Sequence, residues 1–273
     1  MLIAGGAIVA VVAVVLTIAA LSGNSTSNTS TSTGAAPTGS ALDRVITATT
    51  TVPAATFDQV GAGQVNATPS AITGPPLTSG GKPEMLYMGA EYCPYCAAER
   101  WAMIAALSRF GTFTGLAPVR SAAKDGAGQA EVYPNTATWT FANARFASNY
   151  LTFTPVEMNT NIPDPATGGY TTLQTPTAAQ QALIRKYDAA YNGAIPFIDY
   201  GNRYLSVGAS YDPAVLKGLS WSQIAAGMHS PASPAAKAVL GTANYMTAVL
   251  CKLTGDQPAA ACTPVVKSLQ GKL

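Results

Sequence analysis

Apolar and polar positions alternate in ways that predict a mixed α/β chain. Met85, Leu86, Tyr87 and Met88 form a short unbroken apolar run, the pattern of a buried strand. Residues 96–110 read as a helix whose wide apolar face carries Trp101, Met103, Ile104, Leu107 and Phe110, with Gly111 as a stop. Residues 116–121 suggest a second strand. Residues 138–141 and 150–158 alternate, and together they predict a β-hairpin or an added sheet edge. Residues 161–175 are rich in Pro and Gly and read as loop. Residues 177–191 carry Leu183, Ile184 and Tyr187 on one side of a helix. Residues 197–200 and 203–207, split by Gly201-Asn202, read as strand, tight turn, strand. Asp212-Pro213 opens a helix through about Met228, because Asp caps and Pro suits the first turn. Two more helical stretches come after it, at 234–253 and 263–269.

The N-terminal third has a different pattern. Residues 2–21 contain no charge, and a helix of that length would reach about 30 Å, the hydrocarbon thickness of a bilayer. We read residues 1–21 as an uncleaved membrane anchor. A cleaved signal remains the alternative, since small residues surround Leu21 at the spacing of a cleavage site. No basic residue precedes the segment to orient it; export of the residues downstream of it is an inference. Residues 22–81 read as a low-complexity, flexible tether, too polar to offset the entropy of ordering. Within them, residues 42–65 hold a few β-branched positions that suggest a short strand or helix. Residues 82–273 are then the folded domain.

Composition narrows the function classes. The chain of 273 residues is 48% hydrophobic, ample for a core, and its formal net charge is only +2. No basic patch or run stands out, so nucleic acid is excluded as an expected partner. No phosphate-binding or dinucleotide-binding glycine pattern occurs, and the single histidine, His229, lacks a nucleophile-elbow sequence.

The four cysteines fall into two close pairs. In EYCPYCAAERW, residues 91–101, Cys93 and Cys96 bracket Pro94 and Tyr95 at a helix start. A cysteine there faces free backbone N–H groups and the positive end of the helix dipole, which favour its thiolate. Two intervening residues set the second sulfur one turn on. Cys93, at an exposed helix start, is therefore expected to attack or be attacked, and Cys96 to resolve the mixed disulfide. Tyr92 and Tyr95 flank the pair and are candidates for contact with a substrate peptide. Cys251 and Cys262 lie in a Gly-, Pro- and Ala-rich link between two helices and read as a structural disulfide; a second redox pair is the sharper alternative.

MGAEYCPYC resembles the strand-to-active-site turn of the thioredoxin superfamily, and its Pro-Tyr dipeptide is the one typical of glutaredoxins. Residues 193–197, Gly-Ala-Ile-Pro-Phe, resemble that superfamily's cis-proline loop. Exported disulfide-bond proteins share such features. The layout of apolar N-terminus, tether, CPYC and C-terminal cysteine pair also resembles an uncharacterised, membrane-anchored thioredoxin-like family of unknown function. The resemblance covers roughly residues 82–227. It implies an α/β, thioredoxin-like fold with an insertion of about 70–80 residues between the active-site helix and the cis-proline loop, plus a C-terminal helical extension. It further implies that Ile195 and Pro196 dock the backbone of a partner. The implied activity is thiol–disulfide exchange with exported protein thiols or disulfides, with no cofactor beyond the dithiol. A membrane redox partner would fit an anchored reductase, although export tilts the reading toward an oxidase or isomerase. The location implied is the cell membrane, single-pass with an extracytoplasmic domain, or secretion after cleavage. One departure matters. Where many members carry a buried acid, six residues before the first cysteine, this chain has Tyr87. Glu84, Glu91 and Glu99 are nearby in sequence, and Glu91 reads as a solvated loop carboxylate.

Two rivals remain. The CxxC could be half of a zinc site, which would need two further ligands from His229 and the distant cysteine pair. We assign no metal. The chain could also be a non-catalytic binding or structural module of the cell envelope.

Overall fold

Helices begin well before residue 82. The computed structural model describes residues 34–273, so the anchor reading of residues 1–21 and the start of the tether lie outside the described residues. In chain order come α1 (Gly39–Thr50), α2 (Ala54–Val60), β1 (Ser70–Ala71), β2 (Thr78–Ser79), β3 (Lys82–Gly89), α3 (Pro94–Leu107), β4 (Gly111–Thr114), β5 (Ala117–Arg120) and β6 (Ala137–Thr140). Next are β7 (Arg145–Ser148), β8 (Thr152–Glu157), β9 (Asn159–Asp164), β10 (Gly169–Thr172), α4 (Ala178–Tyr187), β11 (Phe197–Tyr200), β12 (Tyr204–Val207), α5 (Trp221–Met228), α6 (Gly241–Leu253) and α7 (Pro264–Gln270). The chain is α/β, with a mixed six-stranded sheet ordered β1-β12-β11-β3-β2 and with β8 also paired to β3. β8 runs parallel to β3 from Glu84 to Gly89, and β11 runs antiparallel to it, with Phe197 opposite Met88.

The tether reading is corrected for residues 39–81. Val45 and Phe57 are buried, and the Arg109 guanidinium lies 4.5 Å from the Phe57 ring centre. Asn244 Nδ2 donates to Phe57 O and Gly61 O, both at 2.8 Å, which pins the end of α2 to α6. Residues 66–79 add to the domain through β1, β2 and the bond from Asn66 N–H to Ser210 O at 2.8 Å. A few well-placed apolar side chains outweigh a polar average here, because each buried aromatic is worth roughly 2–3 kcal/mol of transfer free energy.

Three further expectations are corrected. Of the two arrangements expected for 138–141 and 150–158, the hairpin is replaced, since β6 pairs with β5, while the added sheet edge is present as β8 beside β3. Residues 161–175 are not all loop, since β9 and β10 form an antiparallel hairpin. The helix read from Asp212 to Met228 is two pieces. Asp212 caps a short 3-10 turn over Pro213–Leu216, Gly218 takes a positive φ of 74°, and Ser220 opens α5 with a capping box to Gln223.

α3 is the central helix. All its side chains but Tyr95 are buried, Glu99 and Arg100 included, so the helix is enclosed on every side. Three bonds tie β6 to its surroundings. Thr138 Oγ1 donates to Ala97 O at 2.7 Å, Trp101 Nε1 to Ala137 O at 2.9 Å, and Trp221 Nε1 to Thr138 O at 2.5 Å. No helix among the described residues is long and apolar enough to cross a membrane.

A candidate dithiol site

β3 delivers the chain to the N-terminus of α3, and Pro94 at the first helical position sets the turn. Cys93 is the N-cap. Its Sγ accepts the Cys96 N–H at 3.3 Å, which satisfies one of the orphan donors of the first turn, and faces Ile195 O at 3.7 Å as a thiol donor. Both cysteines are free thiols. The hydrogen bond with Cys96 pulls the Cys93 thiol below its ordinary pKa, against the pull of burial, with help from the Arg100 charge. Burial pushes Cys96 well above its ordinary value. One sulfur is thus biased toward the anion and the other held as a thiol, the asymmetry that exchange chemistry uses.

The expected exposure of Cys93 is corrected: the residue is only 5% exposed, and Cys96 is fully buried. The Ile195 loop covers the sulfur that a bare helix end would present. The Ile195–Pro196 peptide bond is cis. An open cleft of about 450 Å³ begins at Ile195 and is lined by Tyr95, Tyr133, Ala194, Tyr211 and Asp212.

The structure brings Cys93, Cys96, Ile195, Pro196, Tyr92 and Tyr95 into one neighbourhood. Two further tyrosines join them. Tyr170, from the β9–β10 hairpin, stacks on Tyr92 with ring centres 4.1 Å apart, and Tyr133 meets Tyr95 edge-on at 5.9 Å. Burial, then the Cys93 charge, pushes the Tyr92 phenol up to about 12. Sequence reasoning missed Tyr133 and Tyr170, because Tyr170 lies in the segment read as loop and Tyr133 in a stretch with no pattern to assign.

It also missed a buried ion pair. Arg100 Nη2 lies 2.6 Å from Glu157 Oε2 and Nε lies 2.8 Å from Oε1, with both side chains fully buried. Nη2 also donates to Ala90 O at 2.7 Å, and Phe141 N–H donates to Glu157 Oε1 at 3.2 Å. The signal was available: Arg100 lies four residues after Cys96 and seven after Cys93, so all three share a helix face. An arginine on so apolar a helix needs a buried acid.

Glu91 is not a solvated carboxylate: it is buried, and its N–H donates to Asn159 O at 2.9 Å. Cys251 and Cys262 form a disulfide joining the end of α6 to the start of α7. Among the described residues, the grouping with metal-ligand spacing is Cys251, Asp256 and Cys262, and its sulfurs are already bonded to each other. His229 closes α5 and donates from Nε2 to Ala48 O at 2.8 Å, far from a ligand's role.

Residues 69–252 match the family described as Domain of unknown function (DUF929), two thirds of the chain. The chain belongs to the DUF929 family. No curated protein and no solved structure matches it. The DUF929 match spans β1 through most of α6, so Cys93, Cys96 and the Ile195 loop all lie inside the family region, while Cys262 lies beyond it.

Proposed function

We propose that this DUF929 protein is a thiol–disulfide oxidoreductase with a thioredoxin-like fold, acting on exported protein thiols or disulfides outside the cytoplasm. The observation that carries the reading is Cys93 Sγ at a helix N-cap, holding the Cys96 N–H and facing the Ile195 carbonyl. The run β3, α3, parallel β8, then the β11–β12 hairpin entered through cis Ile195–Pro196, supports the thioredoxin-like arrangement. On that arrangement β4–β7, β9, β10 and α4 are the insertion, and α6 and α7 the C-terminal extension.

Cys93 thiolate attacks a partner disulfide and expels one partner sulfur as a thiolate; Cys96 then attacks Cys93 Sγ in the mixed disulfide, forming the Cys93–Cys96 bond and releasing the partner's second sulfur as a thiolate. Run in reverse, the pair oxidises a partner dithiol. Ile195 and Pro196 receive the partner's backbone, and Tyr92 and Tyr95 frame its side chains. The Cys251–Cys262 bond supports an oxidising compartment, where structural disulfides persist. Residues 1–21 then act as a membrane anchor or an export signal, and a membrane redox partner completes the cycle.

The test is turnover of a peptide or insulin disulfide by the full chain with dithiothreitol as reductant. Cys93→Ser is expected to abolish it, and Cys96→Ser to trap a mixed disulfide on Cys93. The burial of Cys93 favours a second reading, a non-catalytic module of the cell envelope. On that reading turnover is no faster with Cys93 than with Ser, and no mixed disulfide accumulates.

A further inference from the structure

Three buried polar groups beside the cysteines take no part in the exchange as described: Tyr87, Arg100 and Glu157. Tyr87 is fully buried, edge-on to Phe141 at 5.5 Å, and its hydroxyl has no hydrogen-bond partner among the described residues. Arg100 Nη1 is also buried without a partner, although Nε and Nη2 are committed to Glu157 and Ala90. Buried donors left unpaired are costly, so each calls for an explanation.

Gly89 shows where the Tyr87 hydroxyl points. A Cβ added there would collide with that hydroxyl and lie 3.0 Å from Cys96 Sγ. The hydroxyl and the sulfur therefore line one small space, open because residue 89 has no side chain. The Arg100 guanidinium flanks the same space, 5.9 Å from the Tyr87 ring centre. Its charge favours the thiolate of both cysteines.

Exchange requires a negative charge at that spot. When a substrate thiolate opens the Cys93–Cys96 disulfide, the bond's electron pair leaves on Cys96 Sγ. In the other direction Cys96 Sγ attacks Cys93 Sγ, the bond to the substrate sulfur breaks, and the Cys96 proton passes to the departing thiolate. Both steps place an anion on a sulfur with no access to water.

We propose that Tyr87 and Arg100 form a buried seat for the Cys96 thiolate, the hydroxyl donating a hydrogen bond to Sγ and the guanidinium supplying the opposite charge. This rests on the dithiol reading above. Tyr87 keeps its proton for the purpose, because burial holds its pKa well above the ordinary phenol value. Glu157 is the positioning residue: it grips Nε and Nη2 and leaves Nη1 free. The titratable groups facing Cys96 are Cys93, Tyr87 and Arg100, with Glu157 behind the guanidinium.

Tyr87→Phe removes one oxygen and nothing else. In the full chain, a mixed disulfide of Cys93 with the chromogenic aromatic thiol thionitrobenzoate reports resolution as release of that thiol. Tyr87→Phe is expected to slow release about threefold, since a one-unit rise in the Cys96 pKa cuts its thiolate fraction about tenfold and raises its nucleophilicity about threefold. The rate at which Cys93 acquires the label should change less than twofold, which a general loss of structure would not allow. In Cys93→Ser protein, the Cβ carbon-13 shift of labelled Cys96 should titrate higher with Tyr87→Phe and with Arg100→Lys. Unchanged release in Tyr87→Phe, or an unmoved Cys96 titration in both variants, would overturn the seat. Failure of the dithiol reading shows elsewhere, as disulfide turnover that survives Cys93→Ser.

Discussion

Glu99 shows what burial does to a single carboxylate. It lies three residues after Cys96 on α3 and is fully buried. Its oxygens accept from Ser210 alone among the described residues, from the N–H at 2.9 Å and from the hydroxyl at 2.6 Å. Burial raises its pKa from 4.5 to about 7. The folded state therefore holds this proton more tightly than the unfolded chain does. Stability from Glu99 is complete below about pH 4.5 and is lost as pH rises through about 7. The loss is on the order of 3 kcal/mol by pH 8. Glu99→Gln, which mimics the protonated form, should be more stable than the natural protein at pH 8 and lose that advantage near pH 4.5, as read by urea unfolding. Identical pH slopes in the two proteins would contradict this assignment.

The elements show how far the pattern of the chain could be read. β3, α3 and the β11–β12 hairpin were legible because each has a complete local signature. β3 has an unbroken apolar run, α3 a prolyl helix start, and the hairpin a Gly-Asn turn in which both residues take positive φ. α1 and α2 were only half legible, as a possible short strand or helix over 42–65, because their buried positions are few: Val45 and Thr49 in one, Thr56 and Phe57 in the other. Window averages over such a segment report the polar majority, whereas packing depends on the minority. The β9–β10 hairpin was hidden for another reason. Its strands are half exposed and include Pro163, so they lack the alternation that marks a buried face. The pairing of β8 with β3 is non-local, and nothing in either strand names its partner. Phe57→Ala tests the part played by the N-terminal helices. Losing a buried ring packed under Arg109 should cost about 3–5 kcal/mol in unfolding free energy, whereas a residue in a loose tether would cost almost nothing.

In the whole molecule, one bonded and one free cysteine pair share one chain. The Cys251–Cys262 bond ties α6 to α7, and α6 packs on α3, the helix that presents Cys93. Closing so short a loop is worth about 3 kcal/mol in the chain-entropy account, so this pair stabilises the support of the site. Cys93 and Cys96 are held apart in character by one hydrogen bond, one helix end and one buried ion pair. Their placement was legible from spacing, since Pro94 after a cysteine marks a helix start that meets free amides. The ion pair and the tyrosine frame were not, because they assemble from α3, β8 and the β9–β10 hairpin. The decisive measurement is a redox titration of the full chain in graded thiol–disulfide buffers, with acid trapping, alkylation and mass readout of each cysteine. Cys93 and Cys96 should interconvert together as one two-electron couple within the range of known dithiol proteins, about −120 to −270 mV, while Cys251 and Cys262 stay bonded. A Cys93–Cys96 pair that keeps one state across that whole range would contradict the account.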